Sequence, residues 1–468
     1  MRPAAAGMEA PISVLILAAG LGTRMKSKRA KVLHRAGGMS LVEHVVHTAG
    51  RVTSPGRVTV VVGHQAAEVE QLLQPLGVHF ARQMEQKGTG HAVLIASDSL
   101  VDQTGLVVVL YGDCPLLSQS TLEQLIEHQA SSSAGATVIT TELDDPSGYG
   151  RIIFGENNSI REIVEHKAAT PQQLGIRFIN SGIYCFRADL LRKYIGEIRP
   201  NNPAHEFYLT DMVAILTRAG HRVDALNIAD SAQLLGINTR AELAAVDRIF
   251  RERKVQELML GGVTIEKPET VTIDACVSID PDTVVEPFAQ ILGRSRVGQD
   301  CRIGACSIVR DSTLASEVEV APFTSIADSR IESGARIGPF ARLRGGTQVG
   351  ENAHIGNFVE LKNTQFGEGA KANHLAYLGD AEFGKATNIG AGTITRNYNG
   401  VKKHRTRVGD DAFVRSNSTL VAPVEIGDGN YIGAESVITE AVPTDALALG
   451  RARQVVKEGW AAKRKKKK

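Results

Sequence analysis

Long apolar runs are missing from this 468-residue chain, and none approaches the ~20 residues needed to cross a bilayer. The first such run, residues 14–19, is too short for a secretory signal core and ends in a glycine-rich loop. Cysteine is sparse: the five present (Cys114, Cys185, Cys276, Cys301, Cys306) are odd in number and scattered, with no Cys-x-x-Cys or Cys/His spacing. That argues against a disulfide framework and a zinc cluster, and predicts reduced thiols in a soluble, cytoplasmic protein. Charge of one sign is lacking too, with 53 Lys+Arg against 51 Asp+Glu. The last six residues are all basic; without them 47 positive residues face 51 negative, a net of −4. A mildly acidic body with a solvated basic tail offers no nucleic-acid surface, so neither a nucleic-acid partner nor a membrane span is expected. Met1 and Met8 are both open as starts.

An apolar fraction of 43% is enough for sizeable cores and excludes wholesale disorder. Aromatics are only 5%, while the 46 glycines exceed the usual ~7% without any collagen triplet. Up to about residue 240, apolar runs (12–18, 58–62, 106–110) alternate with amphipathic stretches such as 41–49 and 121–129. Continuous apolar runs are what parallel strands buried on both faces require, so an α/β domain with a mainly parallel sheet is predicted over 1–240. A helical linker follows over 241–261, ended by Gly261-Gly262.

From residue 262 onward a period of six takes over. Aliphatic residues fall at Ile279, Val285, Ile291, Val297, Ile303 and Val309, again at Ile331, Ile337, Leu343, Val349, Ile355 and Leu361, and again at Val408, Val414, Leu420, Ile426, Ile432 and Ile438. Small residues recur four positions later (Cys301, Ser307, Ala341, Ala353, Ser436). This is the hexapeptide signature of a parallel β-helix over 262–468: the aliphatic residue fills the interior, the small one a tight corner, and Gly relieves the turn backbone. A polar insertion over 395–407 interrupts it, either a solvent loop or a ligand-binding one.

The first strand runs into LAAGLGTRM: Leu17, Ala18, Ala19, Gly20, then Gly22 and Arg24. Glycines there let backbone N–H groups approach a phosphate or a base. The string is neither a Walker loop nor a dinucleotide fingerprint. Lys31 follows in AKVLH, and Gln83, Gly88 and Thr89 in RQMEQKGTGHA. Strand 106–110 delivers Tyr111, Gly112 and Asp113 to the carboxyl edge, where open α/β sheets collect ligands. A strand-end Asp is either a structural cap or a hard oxygen ligand for Mg2+. Gly150 (SGYGRI), Glu165 (IVEHKAAT), Asn180 (FINSGIY) and Asn238 (LLGINTR) complete the series.

Together and in order, these strings resemble the sugar-nucleotide pyrophosphorylases, with Ala30 where that family usually has Pro. The resemblance implies a Rossmann-like nucleotidyltransferase domain. Residues 17–20 would wrap a nucleoside triphosphate, Arg24 and Lys31 would neutralise its α-phosphate, and Gln83, Gly88, Thr89, Tyr111 and Gly112 would contact base and sugar. Gly150, Glu165 and Asn180 would surround the sugar, and Asp113 with Asn238 would hold Mg2+. The reaction implied is in-line attack of a sugar-1-phosphate oxygen on the α-phosphate, driven by positioning and charge neutralisation.

Residues 337–363 and 372–400 read IGPFARLRGGTQVGENAHIGNFVELKN and ANHLAYLGDAEFGKATNIGAGTITRNYNG. Hexapeptide β-helices include acyltransferases and purely structural examples, so the fold alone decides little. With these segments, the linker and KEGW (457–460), essentially all of 1–468 resembles the bacterial bifunctional enzymes of UDP-N-acetylglucosamine synthesis. That resemblance implies a left-handed β-helix, a homotrimer built through it, and a cytoplasmic enzyme feeding peptidoglycan and lipopolysaccharide synthesis. The C-terminal domain would acetylate glucosamine-1-phosphate with acetyl-CoA as co-substrate, and the N-terminal domain would join N-acetylglucosamine-1-phosphate to UTP, releasing pyrophosphate. Arg344 and Lys362 would hold the sugar phosphate, Tyr377 and Asn388 the sugar, and His374 would act as general base, as histidine chemistry near neutrality allows. Ala391, Asn397, Tyr398, Ser416, Ala434 and Arg451 would contact acetyl-CoA.

Three departures from that family stand out: Gly345 for Pro after Arg344, Arg415 for Gly before Ser416, and Ala452 for Pro after Arg451. Arg415 either obstructs the CoA channel or pairs with a CoA phosphate. Two rival readings share the architecture: a monofunctional nucleotidyltransferase whose β-helix is structural or regulatory, and a non-catalytic binding subunit. His374 with Arg344, Lys362 and Asn388 argues against the first; Lys31, Asp113 and Asn238 argue against the second.

Overall fold

A computed structural model describes residues 11–98, 100, 104–202 and 204–465; Met1, Met8 and the last three lysines lie outside them. The described residues form two compact units, divided between Phe250 and Arg251.

The first unit is built on a nine-stranded sheet. Its strands are β1 (Ile12–Leu17), β2 (Val58–Val62), β3 (His79–Arg82), β4 (Leu106–Tyr111), β5 (Ala136–Glu142), β6 (Arg151–Phe154), β7 (Ile160–Val164), β8 (Phe178–Arg187) and β9 (Val223–Asn227). In space the order is β3-β2-β1-β4-β8-β5-β9, and β6 and β7 form a hairpin hung from β8. All neighbours along the main path are parallel except β8, which runs antiparallel to both β4 and β5. Helices α1 (Leu41–Ala49), α2 (Ala66–Leu73), α3 (Thr89–Ser97), α4 (Gln119–Ser131) and α5 (Asp211–Arg218) alternate with the strands. Every residue of β1 and β2 is buried, because alternate side chains enter opposite layers. Val14 and Ile16 pack with Val42 and Val45 of α1, whereas Leu15 and Leu17 pack with Ala92 and Val93 of α3.

Helix α6 (Arg240–Leu260) carries apolar residues toward two cores. Val246 joins Met25, Ala36, Leu41 and Ile237 in the first unit, while Val255 and Leu258 belong to the core of the second. The backbone N–H of Val263 returns to the Leu258 carbonyl (3.0 Å) and closes the helix.

The second unit is a parallel β-helix with three faces and one apolar column inside it. Val285, Ile303, Val320 and Ile337 follow one another up one face, Ile291, Val309, Ile326 and Leu343 up the next, and Ile279, Val297, Leu314 and Ile331 up the third. All of the hexad aliphatics named above are buried. The gaps between the three runs are not breaks in the coil. Val297 pairs with Leu314 and Val349 with Phe366, so one side of the coil is a residue shorter there and the period of six is lost while the fold continues. The insertion is also narrower than 395–407. Arg396 pairs with Val421 and Thr406 with Val424, so only 397–405 leave the coil.

The role expected of glycine holds at some turns, such as Gly334 and Gly369 (φ +68° and +64°), but not at every position. Many left-handed corner positions are filled by Asp, Asn or Phe, for example Asp300, Asn352 and Phe340. A glycine following an aliphatic residue is required instead by close approach of the next coil: a Cβ on Gly350 would stand 2.6 Å from the backbone nitrogen of Glu368.

Two candidate active sites

In the first unit, the carboxyl ends of β1 to β4 open on one edge of the sheet, and the antiparallel β8 begins there, which brings Asn180 to the same edge. Beyond Leu17, the Ala18 N–H bonds to Val61 (2.9 Å), and the chain turns through Ala19 and Gly20 to Gly22. Gly22 has φ +61°, and a Cβ on it would lie 2.6 Å from Cβ of Lys31, so glycine lets the two loops close on each other.

Four of the expected residues converge. Lys31 Nζ forms an ion pair with Asp113 and donates to Asn238 Oδ1 (3.2 Å), and Arg24 Nη2 donates to the same oxygen (2.7 Å). Asn238 is placed by two local devices. The Ile237 N–H bonds to the Asp113 carbonyl (3.0 Å), and Glu242 accepts from the N–H groups of Asn238 (2.6 Å) and Thr239 (2.7 Å) at the start of α6. The second device is a capping box, legible as Thr239-x-x-Glu242 although Glu242 was not among the expected site residues. His34, three residues after Lys31, accepts from Arg240 Nη1 (3.2 Å) and ties the two loops from behind. Asp113 and Asn238 present two hard oxygens and no softer ligand, and no group of three or more His, Cys, Asp or Glu converges among the described residues. Mg2+ commonly takes one or two protein oxygens and fills its shell with phosphate oxygens and water, so this donor set fits it.

A second cluster adjoins the first. Gln83 Nε2 donates to the Gly88 carbonyl (3.1 Å), and Gly88-Thr89 opens α3. Tyr111 is bonded to Thr89, and burial pushes its phenol well above the ordinary tyrosine value. Gly112 follows it with its N–H on the Leu17 carbonyl (2.9 Å). The Asn180 N–H bonds to the Gly150 carbonyl (2.9 Å), and a Cβ on Gly150 would lie 3.7 Å from the Glu165 carboxyl carbon. Thr210, not singled out in the sequence, donates to Glu165 Oε1 (3.2 Å). Burial raises the Glu165 carboxyl above its ordinary value of 4.5, with Asp211 and Glu206 adding to the shift against the Thr210 bond. A raised carboxyl holds its proton more tightly in the folded than in the unfolded state, so its contribution to stability is lost as pH rises above the ordinary glutamate range. Glu165→Gln is therefore expected to raise the melting temperature at pH 8 and to leave it nearly unchanged at pH 4. An equal change at both pH values would sink this assignment.

In the second unit, Arg344 and Lys362 are register partners on neighbouring coils. Arg344 Nε and Nη2 both reach Glu360 Oε1 (2.8 and 2.7 Å). Lys362 faces Asp380 (3.5 Å), a buried carboxylate that also accepts from Asn363 (2.7 Å) and Asn397 (2.5 Å). Burial alone would raise Asp380, but these donors outweigh it and hold it below the usual carboxylate range. Residues 397–405 form a small hairpin, with Tyr398 bridged to Lys403 and the His404 N–H on the Asn397 carbonyl (2.7 Å). The hairpin sets Lys403 beside Lys362, which lowers the Lys403 ammonium. Lys403 and Asp380 were not among the expected residues; no local pattern marks them, since their partners come from other coils.

His374 is exposed, and its Nδ1 lies 2.9 Å from Oδ1 of Asn357, its register partner on the preceding coil. A carbonyl oxygen only accepts, so Nδ1 carries the hydrogen and Nε2 presents its lone pair. Tyr377 lies in register with Glu360, beside Lys362. Asn388 stands on the adjacent face next to Lys371 and is not hydrogen-bonded to the Arg344–Lys362 pair. The pairings Ala372–Ile389–Val414–Ile432 put His374, Ala391, Ser416 and Ala434 at equivalent places on successive coils. Arg451 Nη1 donates to the Ala434 carbonyl (3.2 Å). Gly345 has φ +66°, which proline cannot adopt, so the backbone after Arg344 is closed to the family's usual residue.

The fold and these two clusters define a nucleotidyltransferase joined in one chain to a hexapeptide-repeat transferase. Residues 14–177 match the MobA-like NTP transferase domain, residues 271–366 the GMPPB C-terminal domain, and residues 405–440 the bacterial transferase hexapeptide. The chain is 57% identical over 459 residues to the bifunctional protein GlmU of Solibacter usitatus (98% of each chain covered). It is 48% identical to that of Koribacter versatilis (97% of each chain) and 47% to that of Trichormus variabilis (97% of this chain, 99% of the other). A putative glucose-1-phosphate thymidylyltransferase structure from Bacillus anthracis matches 51% of this chain, and this chain 94% of it, at 21% identity and a TM-score of 0.41, too distant to bear on function. The chain belongs to the GlmU family. It is a bifunctional enzyme of cell wall synthesis, an N-acetylglucosamine-1-phosphate uridyltransferase and a glucosamine-1-phosphate N-acetyltransferase. No described helix is long and apolar enough to cross a membrane.

Proposed function

We propose that the 24/31/113/238 cluster carries uridyl transfer from UTP with Mg2+, and that the 344/362/374 cluster carries acetyl transfer from acetyl-CoA, in a cytoplasmic homotrimer. The observation that carries this reading is that one chain holds both an oxygen pair flanked by two cations and, on its β-helix, an exposed imidazole oriented by Asn357 together with the register-paired cations Arg344 and Lys362.

In the first site Asp113 and Asn238 hold Mg2+, which neutralises charge on the triphosphate. Lys31 and Arg24 move from these oxygens onto the α-phosphate as negative charge builds there. Gln83, Gly88 and Thr89 hold the base, Tyr111 and Gly112 line the floor, and Gly150, Glu165 and Asn180 orient the sugar so that its phosphate oxygen attacks in line. The loop 17–20 supplies backbone N–H groups to the phosphates.

In the second site Arg344, Lys362 and Lys403 hold the sugar phosphate, with the Arg fork and the Lys point charges complementing each other. Tyr377 and Asn388 contact the sugar. His374 Nε2 takes a proton from the amino group, the nitrogen forms a bond to the thioester carbonyl, and the C–S bond breaks to release CoA, which takes up a proton. Ala391, Asn397, Tyr398, Ser416, Ala434 and Arg451 line the donor's path. Trimerisation is supported by a stripe of exposed apolar side chains along one corner of the β-helix. Phe323, Phe340 and Phe358 stack at 5.1 and 5.4 Å, and Leu375 beside His374 is 63% exposed.

The test supplies glucosamine-1-phosphate, acetyl-CoA, UTP and Mg2+ and follows free CoA and pyrophosphate separately. Free CoA is expected without UTP, and pyrophosphate from N-acetylglucosamine-1-phosphate and UTP without acetyl-CoA. Failure of either release overturns the corresponding half.

A further inference from the structure

The turn between β2 and α2, residues 63–65, lies at the carboxyl edge of the first sheet and touches two loops of the nucleotidyltransferase site. On one side the His64 N–H reaches the Ala19 carbonyl (3.5 Å), and a Cβ on Gly63 would stand 2.8 Å from the same oxygen. On the other side Gln65 Oε1 accepts from the backbone N–H of Ala30, one residue before Lys31. The other end of the Gln65 amide donates from Nε2 to Glu68 Oε1 (3.2 Å) in the first turn of α2, which fixes the orientation of the group. Gln65 itself has φ +53°, a left-handed conformation uncommon for a long side chain, and such backbone persists where the surrounding contacts hold it.

Ala30 is buried, with φ −54° and ψ 139°. Proline, the family's usual residue there, takes this same backbone, but it has no N–H and its ring fixes φ. Alanine leaves φ free and adds a buried donor that needs a partner. Gln65 answers both requirements. It satisfies the donor, and it ties down the residue that starts the 31–33 turn, whose carbonyl accepts from the Leu33 N–H (3.0 Å). The restraint bears on Lys31, whose ammonium lies between Asp113 and Asn238 and has to reach the α-phosphate while its backbone stays in place.

We propose that Gln65 is a positioning residue for uridyl transfer: through Ala30 it fixes the backbone of Lys31, and in this chain it replaces the restraint that a proline at residue 30 would supply. The proposal rests on the reading that Lys31 acts on the α-phosphate. Gln65 touches no substrate in this assignment and acts only through Ala30.

The experiment measures uridyl transfer by wild type, Gln65→Met, Ala30→Pro and the double variant, with Lys31→Met as a control of the Lys31 reading and acetyl transfer in each preparation as a control of folding. Gln65→Met keeps the length of the side chain and removes the acceptor; kcat is expected to fall roughly tenfold while KM for UTP changes less than about twofold. Ala30→Pro removes the same bond but fixes φ by its ring, so it is expected to lose no more than Gln65→Met, and adding Gln65→Met to it should cost less than about twofold. An equal loss from Gln65→Met in both backgrounds, no loss in either, or a larger loss from Ala30→Pro than from Gln65→Met overturns the proposal. Hydrogen exchange at the Ala30 amide decides the contact without reference to activity: it should quicken roughly tenfold in Gln65→Met, and unchanged exchange overturns the proposal. If Lys31→Met transfers uridyl at the wild-type rate, the reading of Lys31 fails. If Lys31→Met is inactive and Gln65→Met shows quickened exchange with wild-type kcat, the positioning role alone is overturned.

Discussion

Replacing His374 by alanine is expected to lower acetyl transfer by roughly 10²–10⁴-fold while uridyl transfer stays within about twofold of wild type. The reason is local. His374 is exposed and, among the described residues, its side chain is bonded only to Asn357 through Nδ1, so the substitution removes a proton acceptor without opening a core. Because Nδ1 is committed, Nε2 is the atom aimed at the substrate, and Asn357→Ala should reproduce part of the loss by freeing the ring to rotate. The two activities are read in one preparation, free thiol for the first and pyrophosphate for the second. Acetyl transfer that survives His374→Ala unchanged would show that the base lies elsewhere.

The second large effect is expected at Asp113. Asp113→Asn keeps the shape of the side chain but removes the charge that pairs with Lys31, and uridyl transfer should fall roughly 10²–10³-fold. Two causes act in the same direction. The oxygen left for Mg2+ is neutral and binds more weakly, and Lys31 loses the partner that holds it between Asp113 and Asn238. Raising the Mg2+ concentration should recover part of the activity if metal binding is the main loss. Acetyl transfer by the same variant reports on folding. A variant with wild-type uridyl transfer and wild-type Mg2+ dependence would remove Asp113 from the metal site.

Several site residues were legible because their signal is local. LAAGLGTRM follows directly from a buried strand, Asp113 ends another, and the capping box Thr239–Glu242 marks where Asn238 must sit. Thr210 and Lys403 were not legible. Each acts on a residue far away in the chain, Thr210 on Glu165 and Lys403 on Lys362, and neither sits in a spacing that distinguishes it from an ordinary surface residue. Asp380 is similar: its importance comes from three donors on other coils, Lys362 and Asn363 on one and Asn397 on another.

The shortage of long apolar runs and the sixfold aliphatic period already determined that the second half of this chain is a solenoid. A narrow coil can bury only one aliphatic side chain per side, and that requirement is written residue by residue. The same holds for the buried strands of the first half, whose two faces both need apolar side chains. Only the tertiary structure decided how the three runs join, through sides one residue short. It also decided which glycines answer to a neighbouring coil and where the exposed Arg415 guanidinium rests. These depend on which backbone lies 4.7–4.9 Å away, and stacking of distant segments sets that distance.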